Sequence, residues 1–460
     1  MSQIDPKPAR PPEFGPHEER YWDPVDLTAE VRRVFDICHN CRMCVNYCGS
    51  FPDMFARIDR DIAKHGAHGA ERLDADDFKS VTDHCWQCKL CYIKCPYTED
   101  EGHEWLVDVP RVLGREKAQR ARRNGITLQD RALGEPGALG QLNSGPLAPL
   151  VNFVNANRLV RKVIEKTAGI SSEFPLPPFA AQPFAKWLDH HEPLAEAGSQ
   201  GTVALFATCL GDYNFPSVPA NAVRVLEKNG FKVVRPEQQC CGMPNLDGGD
   251  IDAATAKAKF NVASLHRALE AGHLVVAAQP TCGLTLKHEY KDLVRSKEAE
   301  RVAANVLDLM EFLERLRKEK KLNRDFKRGL GKVAYHAPCH LRAQKIGVPG
   351  ARILGLLPDT EVEIVEQCSA VDGTWGMKAE WYEEGRRYAQ RLVRGIDAAE
   401  AQVVVSDCQL AARRIQHENR VTVVHPIESL AAAYGVAVGR AADPAARSGD
   451  TSESETSGGT

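Results

Sequence analysis

Four cysteines, Cys38, Cys41, Cys44 and Cys48, fall within eleven residues, and the pattern recurs as Cys85, Cys88, Cys91 and Cys95. No helical or strand periodicity constrains the chain as tightly as this C-x₂-C-x₂-C-x₃-C spacing. It puts three thiols on one short loop and a fourth just beyond it. Three thiolates on such a loop grip three irons of a cubane, while the fourth leaves the loop and ligates the other cluster. The spacing therefore predicts crosswise sets: Cys38, Cys41, Cys44 and Cys95 for one [4Fe–4S] cluster, and Cys85, Cys88, Cys91 and Cys48 for the other. A proline follows the second run (Pro96), whereas Gly49 follows the first. Structural zinc more often uses two separated C-x₂-C pairs, so iron–sulfur is the favoured chemistry.

The 15 cysteines stand in a chain of 460 residues that starts polar and Pro-rich, without an apolar secretory core. In a reducing compartment they read as metal ligands or redox groups before disulfides. Hydrophobic content of 43% and charged content of 26% fit a globular protein of two to four domains. A formal net charge of −3 gives no global basic surface, and no nucleic-acid partner is expected. No apolar run is long enough to span a bilayer. A cytoplasmic chain is the expectation, with any membrane attachment peripheral, at the inner face, through a partner or a surface helix.

The expected organisation has six parts. Residues 1–30 read as a flexible arm and 31–105 as a helical two-cluster ferredoxin-type domain. Residues 106–200 read as a helical linker region, in which Arg115 to Arg123 is taken as a solvated basic helix face ending at Gly125. "LAPLVNFVNANRLVRKVIEKTAG" has helical spacing and stops at Gly169, and "FPLPPFAAQP" is a linker by its prolines. From 201 the texture becomes βαβ. Short β-branched runs alternate with helical stretches, which predicts parallel sheets in two modules, 201–325 and 326–440. The last residues, 441–460, read as a disordered tail. The fold class is thus α+β multidomain, a ferredoxin-type domain followed by two pseudo-repeated α/β modules.

The repeat is visible in the remaining cysteines. Cys209 and Cys339 stand 130 residues apart, Cys240 and Cys368 stand 128 apart, and Cys282 and Cys408 stand 126 apart. Each follows a strand-like run. Loops and helix N-termini converge at that end of a parallel sheet, so these cysteines are expected to meet at one rim.

"QQCCGMPN" (Gln238 to Asn245), "PTCGLTLKHEY", "HAPCH", "DGTWGMK" and "SDCQL" complete a pattern that resembles the heterodisulfide reductase-related, Cys-Cys-Gly iron–sulfur proteins, over residues 31 to 440. That family includes the iron–sulfur subunits of anaerobic glycerol-3-phosphate dehydrogenase and glycolate oxidase. In the full family pattern each module carries a cysteine, a Cys-Cys-Gly and a C-x₂-C, and can hold an unusual cluster. This chain departs from it. Gln279 replaces one cysteine of the first module, leaving Cys209, Cys240, Cys241 and Cys282 for a possible third cluster. In the second module Ser369, Ala370 and Ala411 replace a cysteine, the glycine and the last cysteine. Cys339, Cys368 and Cys408 remain, with His336, His340 or His425 as candidate fourth ligands.

The resemblance implies an electron-transfer subunit that takes electrons from a flavoprotein dehydrogenase toward quinone or another acceptor, with a membrane-associated quinone-reactive partner as one route. Two other readings stay open: a reductase of a disulfide or small acceptor at the rim, and a redox-sensing or oxidant-defence scaffold. The sequence carries no flavin or nicotinamide fingerprint, so hydride chemistry would have to come from a partner.

Overall fold

The computed structural model describes residues 4–66, 68–371 and 373–439. The expected tail at 441–460 lies outside the described residues.

Helix α1 (Pro24–Cys41) starts where Asp23 accepts from the Val25 amide with Pro24 at the first position, and it stops at Arg42 in the left-handed region. It buries Leu27, Val31, Val34 and Phe35, one stripe at helical spacing. Helix α2 (Ser50–His65) fills the interval between the two cysteine runs, buries Phe51, Met54, Phe55 and Ile58, and ends at Gly66. These stripes form a small core around Phe35, Met54 and Trp86.

Helix α3 (Val109–Asn124) starts at its Asp108 cap and ends on Gly125 as the sequence indicates. Its basic stretch is not a solvated face, however. Arg115 is only 1% exposed. Its Nε donates to the Tyr21 carbonyl at 2.7 Å and one terminal nitrogen to Asp26 at 2.9 Å. Arg120 pairs with Asp83 at 2.6 Å. Arg115, Lys117 and Arg120 are thus engaged inside the protein, whereas Arg122 and Arg123 at the end of the helix stay exposed.

The same contacts correct the expectation of a loose arm. Arg295 holds Glu13 and Glu18 at 2.6 Å each, and Trp22 donates to the Pro16 carbonyl. Residues 13–22 are thereby docked against the first module.

A short helix at Leu128–Gly134 follows, and then come α4 (Pro136–Asn143), α5 (Ala148–Ala156) and α6 (Arg158–Ala168). The stretch 147–169 is thus two helices, broken at Asn157, whose side chain caps α6 by accepting from Leu159 and Val160. Gly169 ends α6. An irregular segment then leads to the sheets.

The first sheet has order β2-β1-β3-β4 and the second β6-β5-β7-β8, every neighbouring pair parallel. The strands are β1 (Gly201–Phe206), β2 (Phe231–Val234), β3 (Leu274–Ala277), β4 (Val306–Asp308), β5 (Gly331–His336), β6 (Thr360–Val365), β7 (Val403–Ser406) and β8 (Val423–Val424). One connectivity used twice matches the repeat seen in the cysteine offsets. Only β4, three residues between two helices, has no counterpart among the strand-like runs.

The two modules share a core. Helices α7 (Ser217–Lys228) and α8 (Leu309–Lys318) of the first pack against α9 (Pro349–Leu354) and α10 (Pro426–Tyr434) of the second. Val223, Leu226, Leu313, Ile353 and Leu430 join one continuous apolar cluster. Such a shared core fixes the carboxyl ends of both sheets relative to each other.

Candidate metal centres

The cysteine loops run through strained backbone. Arg42, Gln87 and Lys89 have φ of 52°, 53° and 60°. Left-handed non-glycine residues cost about 1–2 kcal/mol each, so a loop with such residues is held by what surrounds it. In the second run the backbone N–H of Gln87 points at Cys85 Sγ (3.4 Å), and its side-chain Nε2 points at the same sulfur (3.6 Å).

The folded chain gathers the first eight cysteines crosswise. Burial pushes the Cys38 thiol well up, and charge on Cys95, Cys44 and Cys41 pushes it further. Burial, with Cys95 and Cys41, raises Cys44 to about 12. The second group centres on Cys91, raised by burial and then by Cys88, Cys85 and Cys48. Cys48 is raised by burial and by Cys85. Cys44 also acts on Cys91, so the two groups are neighbours. Thiolates crowded in this way destabilise one another unless cations neutralise them. The donor set therefore fits a cationic cluster. Among the described residues, no three histidine, cysteine or carboxylate side chains converge tightly enough for a single metal ion. A cubane asks for less convergence, because its four thiolates sit on four separate irons.

The seven later cysteines all line one cavity of about 430 Å³ at the carboxyl ends of both sheets. Cys209 Sγ lies 3.8 Å from Cys240 Sγ. Thiol hydrogen bonds from Cys209 and Cys241 draw Cys240 well down, while Cys209 and Cys241 are pushed up in return. Of this group, Cys240 is the thiol drawn toward its ionised form. The Cys-Cys-Gly turn is held from behind: Asn261 Nδ2 donates to the Cys240 carbonyl at 3.2 Å, and Tyr290 Oη to the Cys241 carbonyl at 3.0 Å. Gly242 has φ +88°, and a Cβ there would sit 3.3 Å from the Ala254 Cα, so glycine suits the turn twice over. The second module keeps that backbone without the glycine, with Ala370 at φ +48°.

The departures from the cysteine pattern face the same space. Gln279, Ser369 and Ala411 all line the cavity. Gln279 is 4% exposed, and its Nε2 has no hydrogen-bond partner.

The candidate histidine ligands are engaged elsewhere. Burial lowers His336 and His340 to about 4, so both are neutral at physiological pH. His336 Nε2 donates to the Gln367 carbonyl at 3.1 Å, and its Nδ1 accepts from Ser406 Oγ at 2.9 Å. His340 Nε2 donates to the Gln87 carbonyl at 3.2 Å and Nδ1 accepts from Thr281 Oγ1 at 3.0 Å. His425 Nδ1 caps α10 by accepting from the Ile427 amide. His336 and His340 thus have both ring nitrogens in hydrogen bonds, whereas His425 Nε2 is buried without a hydrogen-bond partner and His425 does not line the cavity.

His340 stands out in the sequence for its neighbour Cys339, but its role in the fold is different. It bridges the second cysteine loop, through Gln87, to Thr281 beside Cys282. An aromatic cluster makes a parallel junction: Trp86 lies 4.9 Å from Trp375 and 5.0 Å from Tyr388 between ring centroids. Neither contact has a sequence signal, since both join residues more than 250 positions apart.

Comparison with known proteins places these features. Residues 203–287 and 333–410 each match the model of a cysteine-rich domain. Residues 24–123 match the Fer4-like domain of citrate utilization protein B. The chain is 28% identical over 293 residues to one of the subunits of the anaerobic glycerol-3-phosphate dehydrogenase of Escherichia coli (strain K12), covering 63% of this chain and 73% of that protein. It is 28% identical over 245 residues to lactate utilization protein A of Halalkalibacterium halodurans, covering 50% of this chain and 96% of that one. An uncharacterized iron–sulfur protein of Methanococcus maripaludis is 29% identical over 219 residues, 46% of this chain and 41% of that protein. The chain thus carries a Fer4-like segment followed by two cysteine-rich domains and is similar to an iron–sulfur protein and to a dehydrogenase subunit.

Proposed function

We propose that the chain is the electron-transfer subunit of an oxidoreductase, relaying electrons from a flavoprotein dehydrogenase to an acceptor, a quinone foremost, at the cysteine-lined cavity. Two [4Fe–4S] clusters on Cys38, Cys41, Cys44 and Cys95 and on Cys85, Cys88, Cys91 and Cys48 would supply one-electron carriage. The observation that carries the reading is the placement of the second cysteine loop against the cavity, through Gln87 and His340. Gln87 donates to Cys85 and so tunes the sulfur's basicity. His340 and Thr281 supply a hydrogen-bonded route toward Cys282. Cys209, Cys240, Cys241 and Cys282 offer four ligands for a third cluster, and Cys339, Cys368 and Cys408 three. The dehydrogenase subunit named among its relatives supports a partner carrying the flavin, which the sequence does not itself provide. The ferredoxin-type unit spans 31–105 and the modules 201–325 and 326–440 in this reading.

Iron and acid-labile sulfide on anaerobically reconstituted protein, with electron paramagnetic resonance of the reduced state, test it. About eight irons with two interacting cubane signals are expected as a minimum, and about twelve if the first module is loaded. Cys95→Ala is expected to remove the cluster held by the first run while leaving that of the second. Loss of the second run's signal instead, or no reducible signal in the parent, overturns the assignment.

One observation favours a second reading, direct reduction of a disulfide or small acceptor in the cavity: Cys240, its thiol drawn down by Cys209 and Cys241, lies in the space lined by Gln279, Ser369 and Ala411. Cys240→Ser would then abolish turnover with both cubane signals intact. Unchanged turnover excludes it.

A further inference from the structure

Helices α4 to α6 present apolar side chains outward as well as inward. Leu142, Leu147, Leu150, Phe153, Leu159 and Val163 are each more than half exposed. On α5 the outward positions 150, 153 and 154 lie on one face, while Val151 and Asn155 turn to the cavity. On α6 the outward face carries Leu159, Lys162, Val163 and Lys166, spaced i, i+3, i+4 and i+7. Ile164 of the same helix lines the cavity. An ordinary surface helix puts its polar residues outside, and these do not.

From 136 to 164 the charges have one sign, and the one carboxylate of α6, Glu165, accepts from the Ser172 amide at 2.6 Å. No acidic residue lies between Glu135 and Glu165, whereas Arg158, Lys162 and Lys166 are exposed on α6. On α3, Arg115 and Arg120 are spent on internal pairs, and the exposed Arg122 and Arg123 have no such apolar row beside them among the exposed large side chains. Apolar side chains interleaved with lysines whose long stems carry the charge aside are the chemistry that lies in the head-group region of an anionic bilayer. A protein partner matched to this face would have to present apolar and acidic groups together, and the described residues of this chain show no such face opposite it.

We propose that α4 to α6 dock on an anionic lipid surface and that a lipophilic acceptor dissolved there reaches the cysteine-lined cavity between these helices. Leu139 marks the way, since it lines the cavity and is 43% exposed. The second half of the proposal rests on the quinone reading above, and the first half stands without it.

The test is co-sedimentation of the full reconstituted chain with phosphatidylcholine vesicles, with and without phosphatidylglycerol. Binding is expected to the anionic vesicles and to weaken with salt. Phe153→Asp with Leu159→Asp, at sites 75% and 74% exposed, is expected to reduce binding at least about tenfold at unchanged iron content. Lys162→Glu is expected to act in the same direction, more weakly. Equal binding by the double variant, or no binding by the parent, overturns the docking face. So does loss of a co-purifying protein from the double variant with vesicle binding intact. Reduction of a water-soluble short-chain quinone and of a long-chain quinone embedded in the vesicles separates the two halves. The double variant should keep the first rate and lose the second about tenfold. Failure of both rates in the parent removes the quinone reading and leaves the docking result to stand on sedimentation.

Discussion

Gln87 aims two donors at one sulfur, Cys85 Sγ. Hydrogen bonds to cluster sulfurs stabilise the more negative, reduced state. Gln87→Met keeps the side chain's length and removes the Nε2 donor. A hydrogen bond worth about 1 kcal/mol corresponds to roughly 40 mV for one electron. The potential of the cluster on Cys85, Cys88, Cys91 and Cys48 should therefore fall by roughly that amount in a redox titration. An unchanged potential would mean that the contact does not reach the ligand. The cysteine sets themselves were legible, because a fixed spacing of thiols states its chemistry without help from the rest of the fold. The substituted positions Gln279, Ser369 and Ala411 were also legible, as departures from the family pattern that the chain resembles. The role of His340 was not. Its neighbour Cys339 suggests a ligand, whereas its actual partners Gln87 and Thr281 come from other domains.

Among the elements, α8 begins with a buried carboxylate. Asp308 caps the helix by accepting from the Met310 amide at 2.9 Å. Burial raises its carboxyl to about 6 against the pull of Lys287. An unfolded aspartate titrates near 3.9. The folded state thus holds the proton more tightly, so this group's stabilising contribution is complete below about 4 and is lost as pH rises through about 6. Asp308→Asn keeps a capping oxygen and removes the titration. The urea midpoint of wild type minus that of the variant should fall across this window, and a flat difference would refute the assignment. The aromatic junction makes a second prediction. Trp375 is buried against Trp86, stacks on Trp381 at 5.5 Å and donates to the Asp83 carbonyl at 2.9 Å. Trp375→Ala should cost about 3–5 kcal/mol in chemical unfolding. Most strands and the main helices were readable from β-branched runs, apolar stripes and glycine stops. The errors came from context. Charge density on α3 reads as a wet surface until Asp26, Asp83 and the backbone of Tyr21 are seen to surround it.

At the scale of the molecule, the metal-binding chemistry and the hydrophobic core are unevenly divided. Seven of the eight N-terminal cysteines, all but Cys41, sit in or against the small core around α1 and α2, whereas the paired modules share the large apolar cluster. Ligand binding that closes loops is folding energy for the part that contains them. Chelation of iron should therefore expose residues 31–105 to protease and to amide exchange well before 201–439. Simultaneous loss of both regions would show that the junction at Trp86 and Trp375 welds them into one cooperative unit. The repeat of one sheet order in two modules was legible from the cysteine offsets; the fusion of their cores was not, because its main contact joins α7 to α10 across more than a hundred residues of chain. That duplication bears on descent. A protein that carries two copies of a binding rim has a spare. One copy can keep four thiols while the other keeps three, with Ser369 and Ala411 in place of cysteines and the fold that supports both still in place. The worn half is then free to be shaped by whatever enters the space between them.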